Sequence, residues 1–213
     1  MNKIEKWVEK RETKQYPAMT LQDIEPATTS LIVIDMVNGF AKQGALYHQN
    51  IENLIEPIRQ SMKGAKAKGI PIIGFGDAHE KNSVEFHIFP EHCVEKTEES
   101  AFVPELQEIG TDVWIPKKST NSFLEEQFQE WLKENKQIDT FIVAGDCTDI
   151  CILQFVLSLT AFFTKNGQEK RVIVPVNLVD TFSHNDHPSE AVNLFSFYLM
   201  EQAGAELVEM KNI

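Results

Sequence analysis

Six short runs of apolar, largely β-branched residues recur along the chain with helix-length segments between them, and this rhythm restricts the fold more than any other feature. They are SLIVIDM at 30–36, IPIIGFG at 70–76, DVWIP at 112–116, DTFIVAG at 139–145, RVIVPV at 171–176 and AELVEM at 205–210. Most are continuous rather than alternating, as strands must be when both faces of their sheet are covered. The segments 50–69, 123–136, 149–166 and 187–203 are long enough to be crossover helices. The pattern predicts an α/β fold with a doubly wound, mainly parallel six-stranded sheet and helices on both faces. No internal repeat, low-complexity stretch or linker rich in Pro, Gly or Ser divides the 213 residues, so one domain over 1–213 is expected. Residues 1–15 have charges spread along them and read as an amphipathic N-terminal helical extension. The segment 77–103 breaks the rhythm and reads as a polar, acidic loop.

Composition excludes several functions. With 32 acidic against 20 basic residues the formal charge is -12, which repels nucleic acid and anionic lipid, so neither is an expected partner. No apolar run approaches the roughly 20 residues needed to cross a bilayer. The N-terminus lacks the apolar core of a signal peptide, so the expected location is cytoplasmic. Three cysteines, Cys93, Cys147 and Cys151, make a disulfide framework the poorer reading and direct attention to reactivity or burial.

Ligands of open α/β sheets bind beyond the carboxyl ends of the strands, and reactive side chains collect at those ends here. Asp35 closes the first run, Asp77 follows the second, Lys117 or its neighbour Lys118 follows the third, and Cys151 lies just past the fourth in GDCTDIC at 145–151. Each has an ordinary reading: a buried cysteine packed at the start of a helix, a carboxylate capping a turn, a solvated lysine. Together they suit nucleophilic catalysis. A helix starting near Cys151 would stabilise a thiolate and an adjacent oxyanion, a carboxylate beside the thiol could shuttle its proton, and a cation could lower the thiol pKa and keep Asp35 ionised.

The ordered set of Asp35 in LIVIDM, Lys117 in KKSTNSF and Cys151 in GDCTDIC resembles the isochorismatase-like cysteine hydrolase family, whose members include nicotinamidases. The resemblance runs from about residue 28 to the end and leaves the N-terminal helix outside it. It implies a Cys151–Asp35–Lys117 triad, with Lys117 preferred over Lys118 because it stands six residues before Phe123. It also implies a cis peptide at Asp146–Cys147 and an oxyanion hole from the backbone amides of Cys147 and Cys151. Asp146 departs from the apolar residue usual at its position, and a carboxylate there would disfavour an oxyanion.

A second constellation lies in DAHEKNSVEFHIFPEH, where Asp77 and His79 are followed by Glu85, His87 and His92. One Asp-x-His pair is a weak metal signal, but several N and O donors suit a divalent ion. The set resembles the nicotinamidase metal site, with Asp77, His79 and His92 as matching positions and Glu85 or His87 completing it. That resemblance implies zinc first, with manganese or iron as alternatives, and a metal that takes the pyridine nitrogen of the substrate. Phe40 matches a ring-packing position of the family. The implied activity is hydrolysis of nicotinamide to nicotinate and ammonia through a cysteine thioester, and the implied assembly is a homo-oligomer. The competing readings are a metal-free or differently specific small-amide or isochorismatase-type hydrolase, and a catalytically inactive binding protein. His184 and His187 in TFSHNDH show no partner pattern and read as loop residues.

Overall fold

The computed structural model describes residues 1–211. Its sheet has the strands β1 (Ala18–Met19), β2 (Thr29–Ile34), β3 (Ile72–Asp77), β4 (Val113–Lys117), β5 (Thr140–Gly145), β6 (Arg171–Pro175) and β7 (Glu206–Met210). They are arranged β1-β7-β6-β5-β2-β3-β4 and every neighbouring pair is parallel. The six expected runs are all strands, but among the described residues the sheet has seven rather than six. The extra strand is two residues long and pairs Ala18 with Glu209 and Met19 with Met210. So short an edge strand produces no apolar run, which is why periodicity cannot find it.

Eight helices accompany the sheet: α1 (Lys3–Glu12), α2 (Asn38–Ala41), α3 (Gln49–Asn53), α4 (Ile55–Lys68), α5 (Pro104–Gln107), α6 (Glu126–Glu134), α7 (Leu153–Lys165) and α8 (Ser189–Gln202), counted among the described residues. Strands β2, β3 and β5 are buried along their whole length, as continuous apolar runs require. Alternate side chains serve opposite faces. Leu31, Val33 and Ile72 pack with Ile58 and Met62 of α4, whereas Ile32, Ile34 and Phe75 pack with Phe128 of α6 and Phe155 and Leu159 of α7. Each such side chain contributes about 1.5–3 kcal/mol by leaving water.

One helical stretch, Thr148–Lys165, is long and apolar enough to cross a membrane by length and composition, contrary to the reading of the sequence. It is α7 with the turn before it, and its apolar face, Phe155, Val156, Leu159 and Phe163, is buried against the sheet. The N-terminal helix spans Lys3–Glu12 and is closed by an Asn2–Glu5 capping box. It docks on α8, where Trp7 stacks on Phe195 at 4.9 Å and Arg11 donates to Glu201 at 2.7 Å.

From β2 the chain winds outward through β3 and β4, and from β5 outward the other way through β6 and β7. The switch point therefore lies between β2 and β5, where an open α/β sheet leaves a crevice at its carboxyl edge. The two strands run in register up to Ile34 and Gly145. Gly145 has φ +121°, and a Cβ there would sit 1.9 Å from the Ile34 carbonyl oxygen, so only glycine lets the strands close at this point.

Candidate active site

Four loops leave the carboxyl edge at the switch point and converge. Asp35 follows β2 with φ 59° and is fully buried; Lys117 ends β4 and is also fully buried. Lys117 Nζ lies 2.9 Å from Asp35 Oδ2, forms an ion pair with Asp77, donates to the Ser119 carbonyl at 3.0 Å and approaches Cys151 Sγ at 3.7 Å. Lys118 points outward to Glu80 and is exposed, so packing separates the two lysines that adjacency left equivalent. Cys151 sits in a single π turn, Thr148–Ile152, immediately before α7, and the Asp146–Cys147 peptide is cis.

Burial and charge set the protonation states. Burial pushes Asp35 up to about 7 against the pull of the Lys117 cation, with Asp77 adding to the rise. Burial would lower Lys117, but Asp35 and Asp77 outweigh it and hold the amine charged well above its ordinary range. The expectation of a lowered thiol pKa at Cys151 is overturned. Desolvation raises it well above the usual cysteine value, and Lys117 offsets only part of that. Burial likewise raises Cys93 and Cys147. Burial also raises Asp146 well above the carboxylate range, so the residue is a neutral acid and not the anion its type suggested.

Next to this group lies a second one. The donor atoms of Asp77, His79, Glu85 and His92 all fall within 4.8 Å of one another. His79 Nε2 is 3.3 Å and His92 Nε2 3.4 Å from Asp77 Oδ2, and Glu85 Oε1 is 3.7 Å from His79 Nε2. Neither ring nitrogen of the buried His79 has a hydrogen-bond partner. The Nδ1 of His92 donates to the Pro90 carbonyl at 2.7 Å, which leaves its Nε2 lone pair facing the cluster. Two imidazoles and two carboxylates, one imidazole otherwise orphaned, are a donor set that fits a divalent ion. His87 is exposed and outside the cluster, so Glu85 is the fourth member. The segment 77–103 is thus no simple polar loop: His79, His92, Cys93, Phe102 and Val103 are all buried.

Both groups border a cavity of about 280 Å³, lined by Phe40, Asp77, Glu85, Phe89, His92, Asp146, Cys147, Ile150 and Cys151, among others. Phe40, on α2, faces it beside His92 at 5.6 Å between ring centres. The rest of the wall comes from residues with no motif in the sequence: Tyr47 and His48 before α3, and Phe182, Ser183 and His184 before α8. His184 is therefore a cavity residue. His187 has a partner after all, Asp149, at 2.9 Å.

Residues 29–211 match the Isochorismatase domain model. The chain is 27% identical to Nicotinamidase 1 of Arabidopsis thaliana over 216 residues, 85% of this chain and 86% of that protein. Among solved structures it resembles N-carbamoylsarcosine amidase from Thermoplasma acidophilum, with TM-score 0.72, 22% identity, and coverage of 87% of this chain and 98% of that one. It also resembles the pyrazinamidase of Pyrococcus horikoshii in complex with zinc, with TM-score 0.69, 23% identity, and coverage of 85% and 99%. The structural likenesses establish the fold, and the domain match over most of the chain establishes the family: this protein belongs to the isochorismatase-like hydrolases.

Proposed function

We propose that the protein is a nicotinamidase, a metal-dependent cysteine amidohydrolase that converts nicotinamide to nicotinate and ammonia. The observation that carries this reading is the shared cavity: Cys151, with Asp35 and Lys117 behind it, borders the same space as Asp77, Glu85 and His92. A thiol alone would suit many hydrolases, and a metal cluster alone would suit many others. Their convergence on one small aromatic-lined cavity supports a compact aromatic amide.

The Cys151 thiol is neutral at rest, so attack couples to proton loss. Asp35, ionised above about pH 7 and held by Lys117, takes the proton as Sγ bonds to the carboxamide carbon. The backbone amides of Cys147 and Cys151 are the proposed donors to the resulting oxyanion. A neutral Asp146 beside them adds no charge to oppose it. Asp35 returns the proton to the amide nitrogen, the C–N bond breaks and ammonia leaves. Water then attacks the thioester with Asp35 as base, the C–S bond breaks, the proton returns to sulfur and nicotinate departs. Asp77, His79, Glu85 and His92 would hold a divalent ion, zinc first, whose Lewis acidity anchors a ring nitrogen and so aims the carboxamide at Cys151.

The test is ammonia release from nicotinamide by purified, zinc-loaded protein, beside a Cys151→Ala variant and a chelator-treated sample. Turnover that disappears in both controls supports the reading. No turnover by the intact loaded protein sinks it.

A further inference from the structure

The turn that carries Cys151 is fastened to a part of the cavity wall that the metal cluster does not supply. Asp149, two residues before Cys151, uses both carboxylate oxygens. Oδ1 accepts from Thr181 Oγ1 at 2.6 Å and Oδ2 meets His187 Nε2 at 2.9 Å. The other ring nitrogen of His187, Nδ1, lies 3.0 Å from the Phe182 carbonyl, and the two rings stack at 3.9 Å and 9°. A carbonyl and a carboxylate only accept, so the ring makes both bonds when each nitrogen carries a proton. Paired backbone bonds between His184 and His187, at 3.0 and 2.8 Å, close the loop on itself. Phe182, Ser183 and His184, the residues this arrangement holds, line the same cavity as Cys151.

We propose that Asp149 and His187 are positioning residues, which clasp the Phe182–His184 wall to the nucleophile's turn and thereby set how tightly the cavity grips an aromatic substrate. Neither residue is a cavity-lining group, so neither touches the reacting atoms. Their effect is on where Phe182 stands. The Thr181–Asp149 bond and the Thr148 N–H donated to the Asp180 carbonyl at 3.0 Å keep the base of the loop in place without His187. The wall keeps one further tether, the Ser183 N–H donated to His48 Nε2 at 3.2 Å, so loss of the clasp loosens the wall while the turn stays folded. The inference rests on the proposed reading in one respect, that the substrate occupies this cavity.

The experiment uses the full, zinc-loaded chain and nicotinamide. His187→Ala is expected to raise KM about tenfold, the worth of one charge-assisted hydrogen bond, while kcat stays within about threefold; Asp149→Ala, which also releases Thr181, is expected to raise KM at least as much. The double variant is expected to be no worse than Asp149→Ala, because that change already removes the contact His187→Ala removes. Asp149→Asn is expected to restore KM to within about threefold of the unaltered protein, since its amide can donate to an unprotonated Nε2 and its oxygen can still accept from Thr181. An unchanged KM in His187→Ala, additive losses in the double variant, or a fall in kcat matching the rise in KM would each overturn the proposal.

A substrate-independent arm separates this outcome from failure of the nicotinamidase reading. Alkylation of Cys151, located by peptide mass, is followed with iodoacetamide and with the bulkier N-phenylmaleimide. His187→Ala should raise the ratio of bulky to small reagent rates at least about fivefold, as a loosened wall admits the larger ring. An unchanged ratio overturns the clasp whether or not nicotinamide is turned over.

Discussion

Asp77 and Lys117 stand opposite each other in the register of β3 and β4, and their side chains close an ion pair that joins two groups of residues into one site. One oxygen of Asp77 pairs with the lysine and the other faces His79 and His92, while Lys117 reaches on to Asp35 and Cys151. The lysine cation and the two histidines hold Asp77 well below the usual carboxylate range in spite of its burial.

Removing the cation should be costly. Lys117→Met leaves Asp35 and Asp77 buried side by side without their shared counter-charge, and breaking such a pair costs about 3–5 kcal/mol. Urea unfolding of the zinc-loaded variant should show a correspondingly lower midpoint. An unchanged midpoint would mean that the carboxylates find another partner.

The pH dependence follows from Asp35. As the proposed base it would accept the thiol proton only when ionised, and its pKa in the folded protein is about 7, so kcat/KM should fall as pH drops through about 7. The acid limb should vanish with activity in Asp35→Asn. An acid limb with its midpoint below pH 5 would assign it to another group. By the same shift Asp35 contributes stability below its ordinary value of 3.8, and that contribution is lost as pH rises through about 7.

Cys151 should behave as a resting thiol, not a thiolate. Burial raises its pKa, so the rate of its modification by iodoacetamide should be slow at pH 7 and climb without a plateau through pH 9. A plateau reached below pH 7 would show that Lys117 wins over desolvation.

Metal should stabilise the fold through the four converging donors. Ligand at a thousandfold excess over Kd adds about 4 kcal/mol, so zinc should raise Tm and a chelator reverse the rise. In His79→Ala the zinc-induced shift should largely disappear. An equal shift in that variant would place the ion elsewhere.

Asp146 should be dispensable for stability. It is buried and neutral, and its Oδ2 has no hydrogen-bond partner. Asp146→Leu relieves that unsatisfied atom and should raise the urea midpoint by the equivalent of about 1–2 kcal/mol. A lower midpoint would mean the carboxyl has a partner in solution.

Much of this molecule was legible in the residues alone. Continuous apolar runs marked six strands because a strand covered on both faces admits little else, and the ends of those runs already displayed Asp35, Asp77, Lys117 and Cys151. The ordered Asp35, Lys117 and Cys151 with the TDIC spacing carried the family, which the domain match then established. What the tertiary structure decided depends on neighbours far apart in the chain. The two-residue β1 exists only because β7 offers it an edge. Glu85 joins the cluster and His87 does not because the single 3-10 turn that carries both, Val84–His87, leaves one half-buried at the cluster and the other exposed. Tyr47, His48, Phe182 and His184 meet at the cavity from opposite ends of the sequence. The protonation of Cys151 was beyond sequence for the same reason: its sign depends on how completely water is excluded and how near Lys117 comes, and only the folded chain sets burial and distance.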